Sequence, residues 1–311
     1  METKTLLLGT AQWGWTVSRE EAFRLMDAWL AAGFRHIDAA TNYPINKNPA
    51  DFRASEHILL EYIRTHGIRD LKITMKIGAL DNLRTPDVNL SPSFILMMSE
   101  EYKRVFGENL HGIMLHWDNR SEVTEIHRSL ETLATVQQTL KVQPGLSGIK
   151  YPEVYAAANR ELGLTFDIEG KLNILHSDLP RYAPLFSTDS GESTPLHRFF
   201  GYGINAGGLK LEGPYPTGST YLARGGNPEN VVATLEQIRK KIPDWNLAFV
   251  RPPVRTMNHL GLIFAGLHPA VHGIVLGLRS VAQLKETLDF WRNLEIYDYS
   301  DIWKALNKLE K

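Results

Sequence analysis

The chain has 311 residues, 43% hydrophobic and 22% charged, a composition that supports a substantial buried core and excludes disordered and fibrous classes. With 34 Lys+Arg against 35 Asp+Glu the formal charge is −1, so no global field selects nucleic acid or an anionic membrane, and any anion site must be local. The absence of cysteine excludes disulfides, thiolate metal sites and cysteine nucleophiles; residues 1–8 are too short an apolar run for a signal-peptide core or a span of about 20 residues, which makes a cytoplasmic location the default expectation.

Short β-rich apolar runs alternate with longer amphipathic stretches, the pattern of repeated βα units around a parallel sheet. Eight such runs are expected as strands, over residues 5–9, 34–38, 71–76, 112–116, 142–147, 172–176, 199–203 and 273–277. The first helix follows Ser18, an N-cap with Glu20 and Glu21 behind it; Ala22, Leu25, Met26 and Trp29 form its apolar stripe and Gly33 ends it. The same reasoning gives helices over 55–65, 92–105, 121–140, 151–161, 228–240, 254–265 and 281–291. The stretches 180–195 and 201–226 read as long loops of the kind that cover enzyme sites. No shift in composition marks a boundary, so residues 1–311 read as a single domain. Eight strands with helical crossovers close into a barrel or spread into an open doubly wound sheet. Periodicity does not separate the two, but a barrel places chemistry at the C-terminal ends of several strands.

Polar residues stand at those ends. Strand two closes on Asp38 and is followed by Tyr43; strand three ends on Lys76 and strand four on His116. Singly, each has a structural explanation as a turn cap, a snorkelling lysine or a satisfied core histidine. Three consecutive strands ending in Asp, Lys and His beside a tyrosine point instead to one proton-donating unit. A free phenol titrates near pH 10, and an adjacent ammonium lowers that value by stabilising the phenolate. Lys76 supplies the ammonium, Asp38 holds it in place, and neutral His116 donates to a substrate carbonyl oxygen. None of the four is a covalent nucleophile. A set that protonates an alkoxide as it forms requires a bound hydride carrier.

With those residues the sequence closely resembles the aldo-keto reductase superfamily, over nearly its whole length. The likeness runs through Gly9-Thr10-Ala11-Gln-Trp-Gly14, Gly33-Phe-Arg-His-Ile-Asp38, Tyr43, Ser55-Glu56, Ser91-Pro92, Leu115-His116, Lys141-Val142 and Gly145-Leu-Ser147. It continues in Gly207-Gly208-Leu209 and Gly277-Leu-Arg279-Ser280-Val-Ala-Gln283. The resemblance implies a (β/α)8 TIM barrel that binds NADPH, or NADH, extended across its mouth and reduces a small-molecule carbonyl compound. It implies a catalytic tetrad of Tyr43, Asp38, Lys76 and His116. It also implies cofactor contacts at Gly9, Thr10 and Ala11, at Ser147 and Asn173 around the nicotinamide, and at Tyr202 stacked on its ring. Gly203, Gly208 and Leu209 follow in the pyrophosphate loop, Arg279 and Ser280 at an adenosine 2′-phosphate, and Gln283 and Glu286 near adenine. A guanidinium with a hydroxyl suits a phosphate, hence the NADPH expectation.

Four positions depart from the family pattern. Gly148 stands where it has Asn, Asn173 where it has a strand-six Gln, Gly203-Ile204 where Ser-Pro follows the stacking tyrosine, and Thr287 where an Asn meets adenine. Retention of His116 favours carbonyl over double-bond reduction. Trp13, Trp15, Pro44 and Trp117 are expected either to wall an apolar substrate pocket or to pack the barrel rim, and Arg120 and Arg181 either to meet an anionic substrate or to be solvated. A nicotinamide-binding barrel serving as a regulatory subunit is the main rival reading. A Schiff-base enzyme using Lys76 fits less well, and a metal hydrolase lacks a His-x-His or carboxylate cluster at a strand end. No nucleic-acid or membrane partner is expected, and the chain is read as a monomer or small homo-oligomer.

Overall fold

Ser18 caps α1 (Arg19–Ala31), its side chain accepting from the Glu21 N–H, and Ala22, Leu25, Met26 and Trp29 are the buried face. Seven such units follow in the computed structural model, which describes residues 4–186, 197–215, 219–223 and 225–309. The barrel strands are β1 (Thr5–Gly9), β2 (His36–Ala40), β3 (Lys72–Ile77), β4 (Leu110–His116), β5 (Gln143–Ser147), β6 (Asp167–Asn173), β7 (Arg198–Tyr202) and β8 (Val271–Leu276). Each pairs parallel with its sequence neighbours, β1 pairs with β8, and the β5–β6 pairing completes the ring. This is a closed (β/α)8 TIM barrel, not an open sheet. The helices behind the strands are α2 (Ala54–His66), α3 (Pro92–Phe106), α4 (Val123–Leu140), α5 (Pro152–Asn159), α6 (Leu179–Phe186), α7 (Val232–Ala248), α8 (Met257–Gly266), α9 (Val281–Ile296) and α10 (Ser300–Asn307).

Two expectations require correction. Strand six is not 172–176 but Asp167–Asn173, because its inward positions carry Asp167, Glu169 and Lys171 while Ile168, Gly170 and Leu172 alternate with them. A polar residue at every second position breaks the continuous apolar run expected of a barrel strand and leaves only a short alternation. The apolar residues just beyond it run instead into a two-residue antiparallel strand, His176–Ser177. The expected loop over 180–195 begins as helix α6, with Tyr182 and Leu185 buried; residues 187–196 lie outside the described residues. The sequence beyond residue 291 also carries structure: α9 continues to Ile296 and α10 docks through Ile302 and Leu306, the Trp303 indole donating to the Phe264 carbonyl at 3.1 Å.

Strand alternation sorts the buried residues into two groups. Leu6, Leu8, Ile37, Ala39, Ile73, Met75, Ile113, Leu115 and Ile274 join the large core between barrel and helices. Leu7, Phe200 and Val275, at the alternate positions, form a separate small cluster within the ring with Tyr202 packed on it. The interior also needs small residues. A Cβ at Gly145 would sit 2.3 Å from the Met114 side chain and one at Gly273 would sit 2.6 Å from the Phe200 ring.

Several histidines are packed as neutral rings. Burial holds His36, His197 and His259 down at about 4. Below the unfolded value near 6.5 the unfolded chain binds protons that the folded one refuses, so stability is full above pH 6.5, falls as pH drops towards 4, and levels below it. Urea midpoints measured from pH 7.5 to 4 are therefore expected to decline, each group contributing at most about 1.4 kcal/mol per pH unit. A pH-independent midpoint over that window contradicts the neutral packing.

Candidate active site

Register carries the polar residues to one level of the barrel. Gly9 lies beside Asp38, Ala40 beside Lys76, and His116, Ser147 and Glu169 are consecutive cross-strand neighbours. All share the inward parity of their strands. Asp38 is central in β2 rather than at its close, and Tyr43 follows the strand end by three residues. The loops are braced locally: the Thr10 hydroxyl donates to the Asp38 carbonyl at 3.0 Å, and the Ser55 hydroxyl donates to the Thr10 carbonyl at 2.9 Å.

Lys76, 2% exposed, donates to Asp38 Oδ1 and, at 2.9 Å, to Glu169 Oε2. Its Nζ lies 5.3 Å from the centre of the Tyr43 ring, and the His116 ring stands edge-on to that ring at 6.4 Å. Burial works against charge on Lys76, but the two carboxyl groups outweigh it and hold the amine protonated. Burial, and then Lys76, keep His116 well below its ordinary value, so the imidazole is neutral at physiological pH. The expected lowering of the Tyr43 phenol is not what its protein surroundings produce. Burial raises it, Asp38 and Glu169 push in the same direction, and Lys76 opposes them without prevailing.

These groups open on a cavity of about 820 Å³ lined by Asp38, Tyr43, His116, Trp117, Ser147, Glu169 and Tyr202. It takes in Gly9, Ala11, Gly203, Ile204, Gly208 and Leu209, and extends to Arg239, Arg255, Arg279, Gln283, Glu286 and Thr287. Of the expected contacts, Thr10, Asn173 and Ser280 are not in its lining. Asn173 instead ties strand ends together, donating to the Gly203 carbonyl at 3.1 Å and accepting from Leu175 N–H. The Ser280 hydroxyl caps α9 by accepting from Gln283 N–H, while the Gln283 side chain reaches past the cap to accept from Arg279 N–H. Arg279, Arg239 and Arg255 form no ion pair among the described residues, and Arg239 Nε is buried without a hydrogen-bond partner.

Of the tryptophans, only Trp117 lines the cavity; Trp13 is fully buried in the core and Trp15 and Pro44 are not in the lining. Gly148 has a physical account. Its φ is +67° and a Cβ there would meet the Trp117 ring at 2.5 Å, so the indole occupies the space a side chain at 148 needs. Arg120 is fastened to Asp118, with Nη2 to Oδ2 at 2.8 Å, and Arg181 to Asp178 at 3.0 Å, so both are structural ion pairs.

Sequence reasoning missed Glu169, Arg239 and Arg255. Glu169 was signalled by the period-two alternation of residues 167–172, whereas the two arginines occupy a helix and a loop whose approach to the mouth depends on tertiary packing. Among the described residues no group of three or more His, Asp or Glu is placed to hold a metal ion, and no helix is long and apolar enough to cross a membrane.

Comparison with known proteins agrees with the barrel fold. The aldo-keto reductase AKR11C1 from Bacillus halodurans, solved in its holo form, is similar in fold with a TM-score of 0.69 at 18% sequence identity, over 98% of this chain and 92% of that one. No curated protein matches the sequence. The sequence profile of the Aldo/keto reductase family matches residues 5–167, more than half of the chain, and the chain belongs to that family of oxidoreductases.

Proposed function

We propose that this protein reduces an aldehyde or ketone to an alcohol, with Tyr43 as the proton donor and a nicotinamide dinucleotide, NADPH in preference to NADH, as the reductant. The observation that carries the reading is the convergence of Tyr43, neutral His116 and the Lys76–Asp38 pair on a cavity that also reaches unpaired arginines. When bound, the nicotinamide supplies the hydride that forms the new C–H bond. His116 orients the carbonyl oxygen by hydrogen bonding, and the Tyr43 O–H breaks as its proton passes to that oxygen. The phenolate left behind is stabilised by the Lys76 ammonium, which Asp38 holds in position.

The site fits such a cofactor. Tyr202 presents a ring to the cavity, residues 203–209 edge it, and the guanidinium groups of Arg239, Arg255 and Arg279 are free to meet phosphate. With Arg120 and Arg181 already paired to acids and Trp117 and Ile45 in the wall, the Tyr43 region suits a neutral, partly apolar carbonyl substrate. Activity in a soluble cytoplasmic setting is part of the same reading.

The test is oxidation of NADPH by the purified protein across a panel of activated aldehydes and ketones. Cofactor binding without turnover on any member would favour a regulatory role, and failure to bind either dinucleotide by fluorescence quenching would remove both readings. Arg279→Ala is expected to weaken NADPH about tenfold or more while leaving NADH within about threefold, the cost of a charge-assisted phosphate contact. Equal losses for the two cofactors would remove Arg279 from the phosphate site.

A further inference from the structure

Among the described residues, Glu169 is the carboxyl group at the heart of the site that the reaction above does not use. It is 1% exposed, and β6 carries it beside Ser147, which in turn neighbours His116. Its Oε2 takes a Lys76 N–H at 2.9 Å, while its Oε1 is buried in the cavity wall with no hydrogen-bond partner. Asp38 alone suffices to neutralise Lys76, and a second buried carboxyl group beside it is costly. An ammonium has three N–H donors; two are committed to Asp38 and Glu169, leaving one for Tyr43.

Resting on the carbonyl-reduction reading, we propose that Glu169 is a positioning residue for Lys76: by sharing the ammonium with Asp38 it keeps Tyr43 a proton donor and biases the protein towards reduction over alcohol oxidation. Oxidation requires the Tyr43 oxygen to accept the alcohol's O–H proton while the alcohol's hydride passes to oxidised nicotinamide. A phenol held in its protonated form does not accept that proton. The groups facing Tyr43 and Lys76 are Asp38 from β2, His116 from β4, Glu169 from β6 and Tyr202 from β7; β1, β5 and β8 present Gly9, Ser147 and Val275, which do not titrate. His116 is neutral, and Asp167, lower on β6, is paired with Arg198 at 2.7 Å. Burial and then Glu169 push the Asp38 carboxyl up against the opposing pull of Lys76, so the charge balance at Tyr43 is set by Lys76 against the Asp38–Glu169 pair taken together, and Glu169 is the member that can be neutralised while leaving the Asp38–Lys76 contact intact. Its influence on the phenol is upward, in line with burial.

Glu169→Gln keeps size and shape and removes the charge. For alcohol oxidation its pH profile is expected to rise at least about one unit below that of the wild type, with about tenfold more oxidation on the rising limb. Reduction should begin to fail correspondingly earlier as pH rises, and KM for the carbonyl should stay within about threefold. Glu169→Asp, which retains the charge, should follow the wild-type profile. Superimposable profiles for Glu169→Gln and wild type, or a uniform loss of both kcat values with no displacement, would overturn the proposal. A wild type that binds NADPH yet turns over in neither direction would defeat the reaction reading alone. The proposal is then decided by phenolate absorbance, as wild type minus Tyr43→Phe against Glu169→Gln minus the Glu169→Gln/Tyr43→Phe double variant. Earlier ionisation in the second pair supports it and coincident curves overturn it.

Discussion

Tyr43→Phe is expected to lose carbonyl-reducing turnover by about a hundredfold to ten-thousandfold, the usual worth of a positioned general acid. Among the described residues, the phenol oxygen is the one group in the cavity with both a transferable proton and an ammonium beside it to stabilise the product anion. Its replacement removes that proton and leaves a ring of nearly equal volume, so the Lys76–Asp38 pair and the His116 edge contact keep their surroundings. Cofactor affinity, read by fluorescence quenching, should change by less than about threefold. A variant that retains a tenth or more of wild-type kcat would mean that another group, His116 being the nearest candidate, delivers the proton.

Lys76→Met tests the same cluster through stability. It leaves Asp38 and Glu169, 3% and 1% exposed, facing each other without a cation. Removing one partner of a buried ionic cluster costs about 3–5 kcal/mol, because the remaining charge can neither rehydrate nor pair. The sign of the pH dependence follows. A carboxyl group in the folded variant titrates above its unfolded value, so the folded form binds the extra proton; the penalty is absent below the unfolded carboxylate range near pH 4 and grows as pH rises towards the folded value. Denaturation at pH 4.5 and 7.5 should therefore show the variant closer to wild type at the lower pH. Adding Glu169→Gln to Lys76→Met should recover part of the loss at pH 7.5. A loss under about 1 kcal/mol that is equal at both pH values would show that water reaches the cluster and that its charges are not confined.

Legibility in the sequence followed which residues obey packing rules and which defy them in isolation. Asp38, Lys76 and His116 were visible because each stands at the close of an expected strand, and polar residues at the ends of three consecutive strands have one economical explanation. The α1 stripe of Ala22, Leu25, Met26 and Trp29 was visible because a single face is buried. Strand β6 was not, because a polar residue at every second position breaks the continuous apolar run that marks the other barrel strands, leaving only a period-two alternation, and Glu169 was lost with it. Asn173, read as a nicotinamide contact, lies four residues beyond Glu169, the β6 residue level with Ser147, and its amide is spent on the Gly203 carbonyl and the Leu175 N–H. Trp13 and Trp117 look alike as loop tryptophans after a strand; only three-dimensional packing puts one in the core and the other at the cavity. Arg239 and Arg255 carry no local signature, since an unpaired arginine in a helix or loop is identified only by what it fails to meet in the folded chain.

The contact between Trp117 and Gly148 binds the histories of two positions thirty-one residues apart in the chain. The positive φ at 148 favours glycine, but asparagine tolerates it better than other residues that carry a side chain, so the conformation alone does not forbid the larger residue. The indole does. An asparagine arriving first would collide with the ring, and a smaller residue replacing the tryptophan first would leave a gap over a bare glycine. Descent between the two arrangements thus proceeds by paired replacement or through a compromised intermediate, and anyone grafting a different nicotinamide-side loop onto this barrel must exchange both residues together.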